Sequence, residues 1–303
     1  MVKLHKEVGC VGFVCPMTDQ NVTFREHCLK CQDPCETLPV MAMLDAQTRP
    51  IVPNEYHVTE ILNPRQVIYL TRNYPYYLPP ESLVDAALGS AWHTSIYNAM
   101  FIPEYDADFA HRFEGEQSFR IEINGIAFTG TSDVNIKDQH HLIDYKTAQV
   151  FSVKQYLKEE WKDSTWAKYQ KQINIYRVYQ YPETEKMTLH VKVMGWDAYV
   201  AKTMGIGKTF KIMVPFIEDE KVKSFVTCRL RESVEDQETG NPPPCPKNRL
   251  WFNAAGEPQR CLRFCGGKAY CKQFKEWQEE RGGAMSDTHQ PVGRRAAEAE
   301  ILP

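Results

Sequence analysis

The chain has 303 residues, 43% of them hydrophobic and 25% charged, which excludes a staple-dependent miniprotein, a collagen-like or coiled-coil chain and a largely disordered one. With 36 basic against 39 acidic residues, the net charge of −3 gives no global pull toward nucleic acid, so any such binding has to come from a local surface. No apolar run approaches the roughly 20 residues of a membrane span, and the N-terminal stretch lacks a signal-peptide core; an intracellular, cytoplasmic protein with no membrane partner is expected.

The unusual feature is ten cysteines, clustered at the two ends. In chain order the first cluster is Cys10, Cys15, Cys28, Cys31 and Cys35. In a reducing compartment such short spacings indicate a metal site rather than disulfides. Cys15, Cys28, Cys31 and Cys35 are the expected zinc ligands of a knuckle-like segment over residues 1–50; a set that includes Cys10 also fits the spacing.

Residues 58–70 read as a helix that Pro64 kinks or restarts. A proline-rich stretch at 74–80 leads to a helix over 82–100 that carries His93. Alternation at Phe119, Ile121 and Ile123 ends at Asn124-Gly125, a tight-hairpin signal, and 127–129 returns as a strand. Strands at 134–136 and 142–145 flank a polar turn. One long helix is expected over 153–179, with Trp166, Tyr169, Ile173, Tyr176 and Tyr179 on its buried side. Strands at 188–193 and 209–214 follow, then a helix over 218–234 with Cys228 as a core thiol. Residues 235–244 read as a polar, proline-rich linker into the second cluster, Cys245, Cys261, Cys265 and Cys271, which suits either zinc or a [4Fe-4S] cluster. The tail beyond Arg281 is expected to be disordered. The class is α/β, helices around a mixed sheet, divided into a cysteine segment (1–50), a core (51–234), a linker with a metal-binding segment (235–281) and a tail (282–303).

The thiol-free middle carries the chemistry. Asp133 and Asp144 lie on neighbouring predicted strands, where paired carboxylates suit a hard cation such as Mg²⁺ or Mn²⁺. Lys146, two residues on in an extended segment, shares a face with Asp144, while Tyr145 faces the other way. A cation beside a metal-activated water offsets charge growing on a phosphate under attack. On its own, Asp-x-Lys is equally a surface salt bridge.

The surrounding order is Gly89-Ser90-Ala91-Trp92-His93, Gly130-Thr131-Ser132-Asp133, Asp144-Tyr145-Lys146 and Gln172-Ile173-Asn174-Ile175-Tyr176. This series resembles the RecB-like branch of the PD-(D/E)XK nuclease superfamily, with its helix histidine, G-x-x-D, D-x-K and Q-x-x-x-Y motifs. The resemblance spans residues 58–271 and implies a restriction-endonuclease-like core. It further implies that His93, Asp133, Asp144 and the Tyr145 carbonyl hold the divalent ions. Lys146 would position or activate the attacking water, and Gln172 and Tyr176 would contact DNA or steady the lysine and phosphate. Relatives such as CRISPR-associated adaptation nucleases and AddB-type nuclease domains bind a [4Fe-4S] cluster through one upstream and three downstream cysteines. The downstream three resemble Cys261, Cys265 and Cys271. Where those relatives read Cys-Pro-Arg, this chain has Asn63-Pro64-Arg65, which leaves Cys245, or an N-terminal thiol such as Cys35, as the fourth ligand.

Six lysines against three acids between Lys146 and Gln172 give a local balance of +3, suited to tracking phosphates or simply to a solvated helix face. Trp161 and Trp166 are candidates for stacking on unpaired bases, core packing being the alternative. The function expected is a Mg²⁺- or Mn²⁺-dependent exonuclease on single-stranded or end-exposed DNA, with a recombination, repair or CRISPR-adaptation partner. The rival is an inactive, metal-stapled DNA- or protein-binding module.

Overall fold

The computed structural model describes residues 8–47, 51–102, 107–162 and 164–281; the tail expected to be disordered, and Asp163 of the lysine-rich stretch, lie outside them. In chain order the elements are β1 (Gly9–Val14), β2 (Asn21–Val22), α1 (Leu38–Asp45), β3 (Glu55–His57), α2 (Val58–Ile61), α3 (Arg65–Asn73), β4 (Pro75–Leu78) and α4 (Glu81–Ala99). Then come α5 (Ala107–His111), β5 (Phe113–Ile123), β6 (Ile126–Ile136), β7 (His141–Gln149), α6 (Val150–Glu159), α7 (Ser164–Gln180) and β8 (Lys186–Met194). The last are α8 (Ala198–Met204), β9 (Thr209–Met213), α9 (Asp219–Thr239) and α10 (Lys272–Glu280).

The chain forms two compact units. One takes the described parts of Met1–Pro50, Leu70–Val84 and Phe252–Pro303, so both cysteine-rich termini contribute to it. Its sheet has the order β2-β1-β4, with β1 antiparallel to β2 and parallel to β4. Residues 75–78, at the centre of the proline-rich stretch, are thus a strand, because β1 supplies a partner 60-odd residues upstream. Tyr74 stacks on Tyr270 at 4.4 Å between ring centroids. Gly267 lies where a Cβ would stand 2.6 Å from Leu70 Cβ, so only glycine permits that approach.

The other unit, Ile51–Tyr69 and Asp85–Trp251, is a mixed α/β structure with a six-stranded sheet flanked by helices. The order is β3-β6-β7-β8-β9, and β5 pairs with β6. The β6–β7 and β8–β9 pairs are antiparallel, whereas β3–β6 and β7–β8 are parallel. Asn124 and Gly125 both take positive φ, 52° and 78°, as a tight primed turn demands, and Ile123 faces Ile126 across it. The core gathers Tyr56, Phe128, Leu142, Trp166, Ile173 and Leu189 between sheet and helices.

Several elements differ from the sequence expectation. Residues 127–129 and 134–136 are one strand, β6, paired with β5 from Ile126 to Ile136 except at Asp133. Pro64 does restart the helix, separating α2 from α3. The helix expected over 153–179 is broken: α6 ends where Glu160 turns to φ 49°, and a 3-10 turn at Glu160–Lys162 precedes α7. The helix expected to end at residue 234 continues to Thr239, where Gly240 at φ 65° caps it. The acidic stretch assigned to a linker stays helical because Asp236, buried in α9, accepts two hydrogen bonds from Arg65 of α3, at 2.8 and 2.7 Å.

Candidate active site

Two strands define the site, and register explains how. The β6–β7 ladder ends at the pair Val134↔Ile143, so the next residues outward are Asp133 and Asp144. There the Asp133 side chain replaces the ladder: its Oδ2 accepts the Tyr145 backbone N–H at 2.6 Å. Asp144 is 1% exposed. Lys146, two residues along β7, sets its Nζ 2.5 Å from Asp144 Oδ2, an ion pair outside hydrogen-bond angles; Asp144 Oδ1 has no hydrogen-bond partner. The lysine also lies over the Tyr169 ring of α7, 5.4 Å from its centroid.

The helix α4 brings in His93, whose Nδ1 is 3.3 Å from Asp133 Oδ1. From α7, Gln172 Nε2 donates to Tyr176 Oη at 3.1 Å, one turn on, with both side chains buried. Gly130 explains the glycine of its motif: a Cβ there would stand 2.6 Å from Phe119 Cε1, 2.7 Å from Val58 Cγ2 and 2.9 Å from Tyr176 Cε1. Only a bare backbone lets Tyr176 lie against β6.

Burial and mutual charge set the protonation of the group. Burial, partly countered by Lys146 and reinforced by Asp133, pushes the Asp144 carboxyl up to about 6. Burial acts the same way on Asp133, yet the hydrogen bond to His93 and the charge of Lys146 hold it below the usual carboxylate range. For His93 and Lys146 burial alone lowers basicity; Asp133 more than restores it for His93, and Asp144 with Asp133 for Lys146. Burial and then Asp144 raise Tyr176, which stays a neutral phenol at physiological pH.

Glu116 lies outside the motifs named above, yet it stands at this site. The β5–β6 pairs Gly115↔Val134 and Gln117↔Ser132 bracket Glu116 and Asp133, which are thus cross-strand neighbours, although no ladder pair forms between them. Glu116 has φ 50° in the middle of a strand, a conformation that few non-glycine residues adopt. Its Oε1 is 3.9 Å from His93 Nδ1, and its side chain is 42% exposed. His93, Glu116 and Asp133 place ligand atoms within 4.8 Å of one another, and among the described residues no other group of three His, Cys, Asp or Glu does so. The sequence held the signal: a two-residue turn at Asn124-Gly125 fixes the register, and counting back along the hairpin sets residue 116 opposite residue 133.

The residues fit a hard divalent cation. Glu116, Asp133 and Asp144 occupy successive positions across β5, β6 and β7, and like charges so arranged repel. Lys146 and His93 offset them only in part, and the buried Asp144 Oδ1 is left without a partner.

The cysteines are placed less tightly. Cys28 is raised by burial and then by Cys35, Cys15 and Cys31, so those four thiols lie within electrostatic reach. Cys10 is buried, with its Sγ 3.8 Å from Gly12 O. In the same unit burial raises Cys265, and Cys271 adds to it. A zinc–sulfur bond of about 2.3 Å sets tetrahedral sulfurs roughly 3.8 Å apart. No three cysteine sulfurs come within 4.8 Å of one another among the described residues, so none of these thiols forms a closed zinc set as placed. A [4Fe-4S] cluster, with each thiolate on a different iron, spreads its ligands further. Cys245 belongs to the other unit, where its backbone N–H donates to Gln66 Oε1 at 3.1 Å, three residues after Asn63 in the chain. Asn63 itself is engaged, its Oδ1 accepting from Lys168 Nζ at 3.1 Å. Cys228, on α9, is half-buried rather than a fully buried core thiol.

The lysine-rich stretch does not form one stripe. Lys154, Lys158 and Lys162 are exposed, whereas Lys168 is bonded to Asn63 and Lys171 lies over the Phe225 ring at 4.8 Å. Trp166 is buried and donates to Ser152 O at 2.9 Å, and Trp161 packs edge-on against Tyr156, so these rings serve the core.

No family model matches the chain, and no curated protein matches it. The crystal structure of SSO0001 is similar at 15% identity, covering 77% of this chain and 94% of that one, with a TM-score of 0.43, too slight a likeness to bear on function. No helix among the described residues is long and apolar enough to cross a membrane.

Proposed function

We propose that this chain is a Mg²⁺- or Mn²⁺-dependent deoxyribonuclease of the RecB-like PD-(D/E)XK kind, acting on single-stranded or end-exposed DNA. The observation that carries the reading is the buried Asp144–Lys146 pair set beside Asp133 and His93 at the end of the β6–β7 ladder. His93, Asp133, Asp144 and the Tyr145 carbonyl are the residues that would hold the ion. When bound, such an ion would supply Lewis acidity at the phosphate and lower the pKa of a water so that it gives up a proton to solvent and becomes the nucleophile.

The chain's own residues do the rest. Lys146 is kept protonated by the two carboxylates, so at neutral pH it acts as a donor and a fixed positive charge at the scissile phosphate, orienting the water and offsetting charge on the non-bridging oxygens. Tyr169 and Tyr176 wall it in, and the Gln172–Tyr176 bond fixes the phenol on that wall.

The preference for unpaired DNA draws on two aromatic residues. Phe151 opens α6 directly after β7, and Tyr199 lies in α8 shortly after β8; they are 71% and 70% exposed. The two strands are parallel and end together at Gln149↔Met194, so both rings follow strands that finish at the same end of the sheet. Exposed rings near Lys154, Lys158 and Lys202 have the composition of a single-strand groove. Linear single-stranded DNA with Mn²⁺ should be degraded by the wild type, and Lys146→Ala should lose at least 100-fold in rate. Equal degradation by both proteins would overturn the proposal. DNA binding with no cleavage under any divalent metal would favour the inactive-module reading.

A further inference from the structure

We infer that Glu116 is a metal ligand, forming with His93 and Asp133 an outer, solvent-facing part of the cation site whose inner wall is Asp144. The inference rests on the metal-dependent reading above and adds a residue and a second face to it.

Geometry carries it. Glu116, His93 and Asp133 come from β5, α4 and β6, three separate elements, yet their ligand atoms converge within 4.8 Å. One imidazole nitrogen, His93 Nδ1, faces both carboxylates, at 3.3 Å from Asp133 and 3.9 Å from Glu116. A nitrogen and two oxygens from different elements, open on one side, leave room for the waters that Mg²⁺ or Mn²⁺ retains. The independent observation is Asp144, 1% exposed with Oδ1 unpartnered and within electrostatic reach of both Asp133 and His93. Lys146 meets the Oδ2 side of this carboxylate, so the buried Oδ1 is the oxygen left for a second cation or a proton. One ion against this row answers both the orphaned oxygen and the repulsion among three carboxylates on adjacent strands.

The strand register explains why Glu116 rather than its neighbours has this role. Glu114 faces Asn135 across the ladder and accepts from its Nδ2 at 3.3 Å, whereas the same register sets Glu116 opposite Asp133. Residue 116 alone breaks the β5 pairing while the register holds on either side, with its backbone at φ 50°. Glycine takes that conformation without steric cost, so a structural role at this position would favour glycine over glutamate.

The test is calorimetric titration of the full chain with MnCl₂ alone, without DNA. Glu116→Gln should raise the Mn²⁺ dissociation constant at least tenfold. The control Glu122→Gln, which removes the same charge from an exposed position of the same strand, should stay within twofold. Glu116→Gly should lose Mn²⁺ affinity as Gln does while the metal-free melting temperature holds or rises, a pairing that a purely structural residue would not give. Wild-type affinity in both Glu116 variants, or no Mn²⁺ binding by the wild type, would overturn the inference. Failure of the nuclease reading is a separate outcome: Mn²⁺ bound through Glu116, but no DNA cleaved by the loaded wild type.

Discussion

Asp144→Asn should stabilise the metal-free protein at neutral pH while abolishing activity. The Asp144 carboxyl is pushed up to about 6 in the fold, against about 3.9 in an unfolded chain. A raised carboxyl means that the folded state holds its proton longer than the unfolded state. Its contribution to stability is therefore complete below about pH 4 and is lost as pH rises through about 6. By pH 7.5 the accumulated loss is two units at about 1.4 kcal/mol each, or roughly 3 kcal/mol, as an upper limit. Asparagine mimics the protonated form at every pH. The raised value already includes the opposing pull of Lys146, so roughly 3 kcal/mol is the net upper limit of the gain. Chemical denaturation in EDTA at pH 7.5 and pH 4.5 measures it: the variant should be the more stable at pH 7.5, and its advantage should shrink to about a third at pH 4.5. A variant less stable than wild type at pH 7.5 would instead mean that the Asp144–Lys146 pair stabilises the apo fold.

Two other perturbations test the scaffold and the staples. Gly130→Ala puts a methyl group where Phe119, Val58 and Tyr176 already stand within 3 Å; overpacking should cost about 1–3 kcal/mol in thermal or chaotrope unfolding and displace Tyr176 from the lysine. Cys15, Cys28, Cys31 and Cys35 are proposed to close on zinc, and Cys261, Cys265 and Cys271 to bind iron. Metal quantitation after anaerobic purification should show Cys28→Ser losing about one zinc per chain and Cys261→Ser losing iron and visible colour, whereas unchanged metal content in either would sink that assignment.

The parts of the fold legible in the sequence are those set by local chemistry. Asn124-Gly125 dictates its hairpin because both residues tolerate positive φ, and that turn fixes β5 against β6 over eleven residues. Asp133, Asp144 and Lys146 could be placed together because strand periodicity and short connections leave few alternatives. Long-range pairing was not legible. Residues 75–78 form a strand only because β1 lies alongside, and 235–239 stay helical only because Arg65 reaches Asp236 from 171 positions away. The break at Glu160 has no glycine or proline to announce it, so the periodic pattern ran straight through it. Trp161 and Trp166 were ambiguous for the reason that any helical aromatic is: the spacing that suits a stacking ridge also suits a core. Glu116 was legible in principle by counting from the turn, but its left-handed backbone breaks the alternation that would have drawn attention to it.

Lys146, buried against Asp144, is proposed to serve phosphodiester cleavage rather than the stability of the sheet. The measurement that tests it most directly is single-turnover digestion of end-labelled, linear single-stranded DNA with saturating Mn²⁺, using wild type and Lys146→Ala side by side after both are shown to be folded and to bind Mn²⁺. The wild type should cleave rapidly and the variant should lose at least 100-fold in rate. Cleavage at the same rate by both, or none by either, would contradict that role for Lys146.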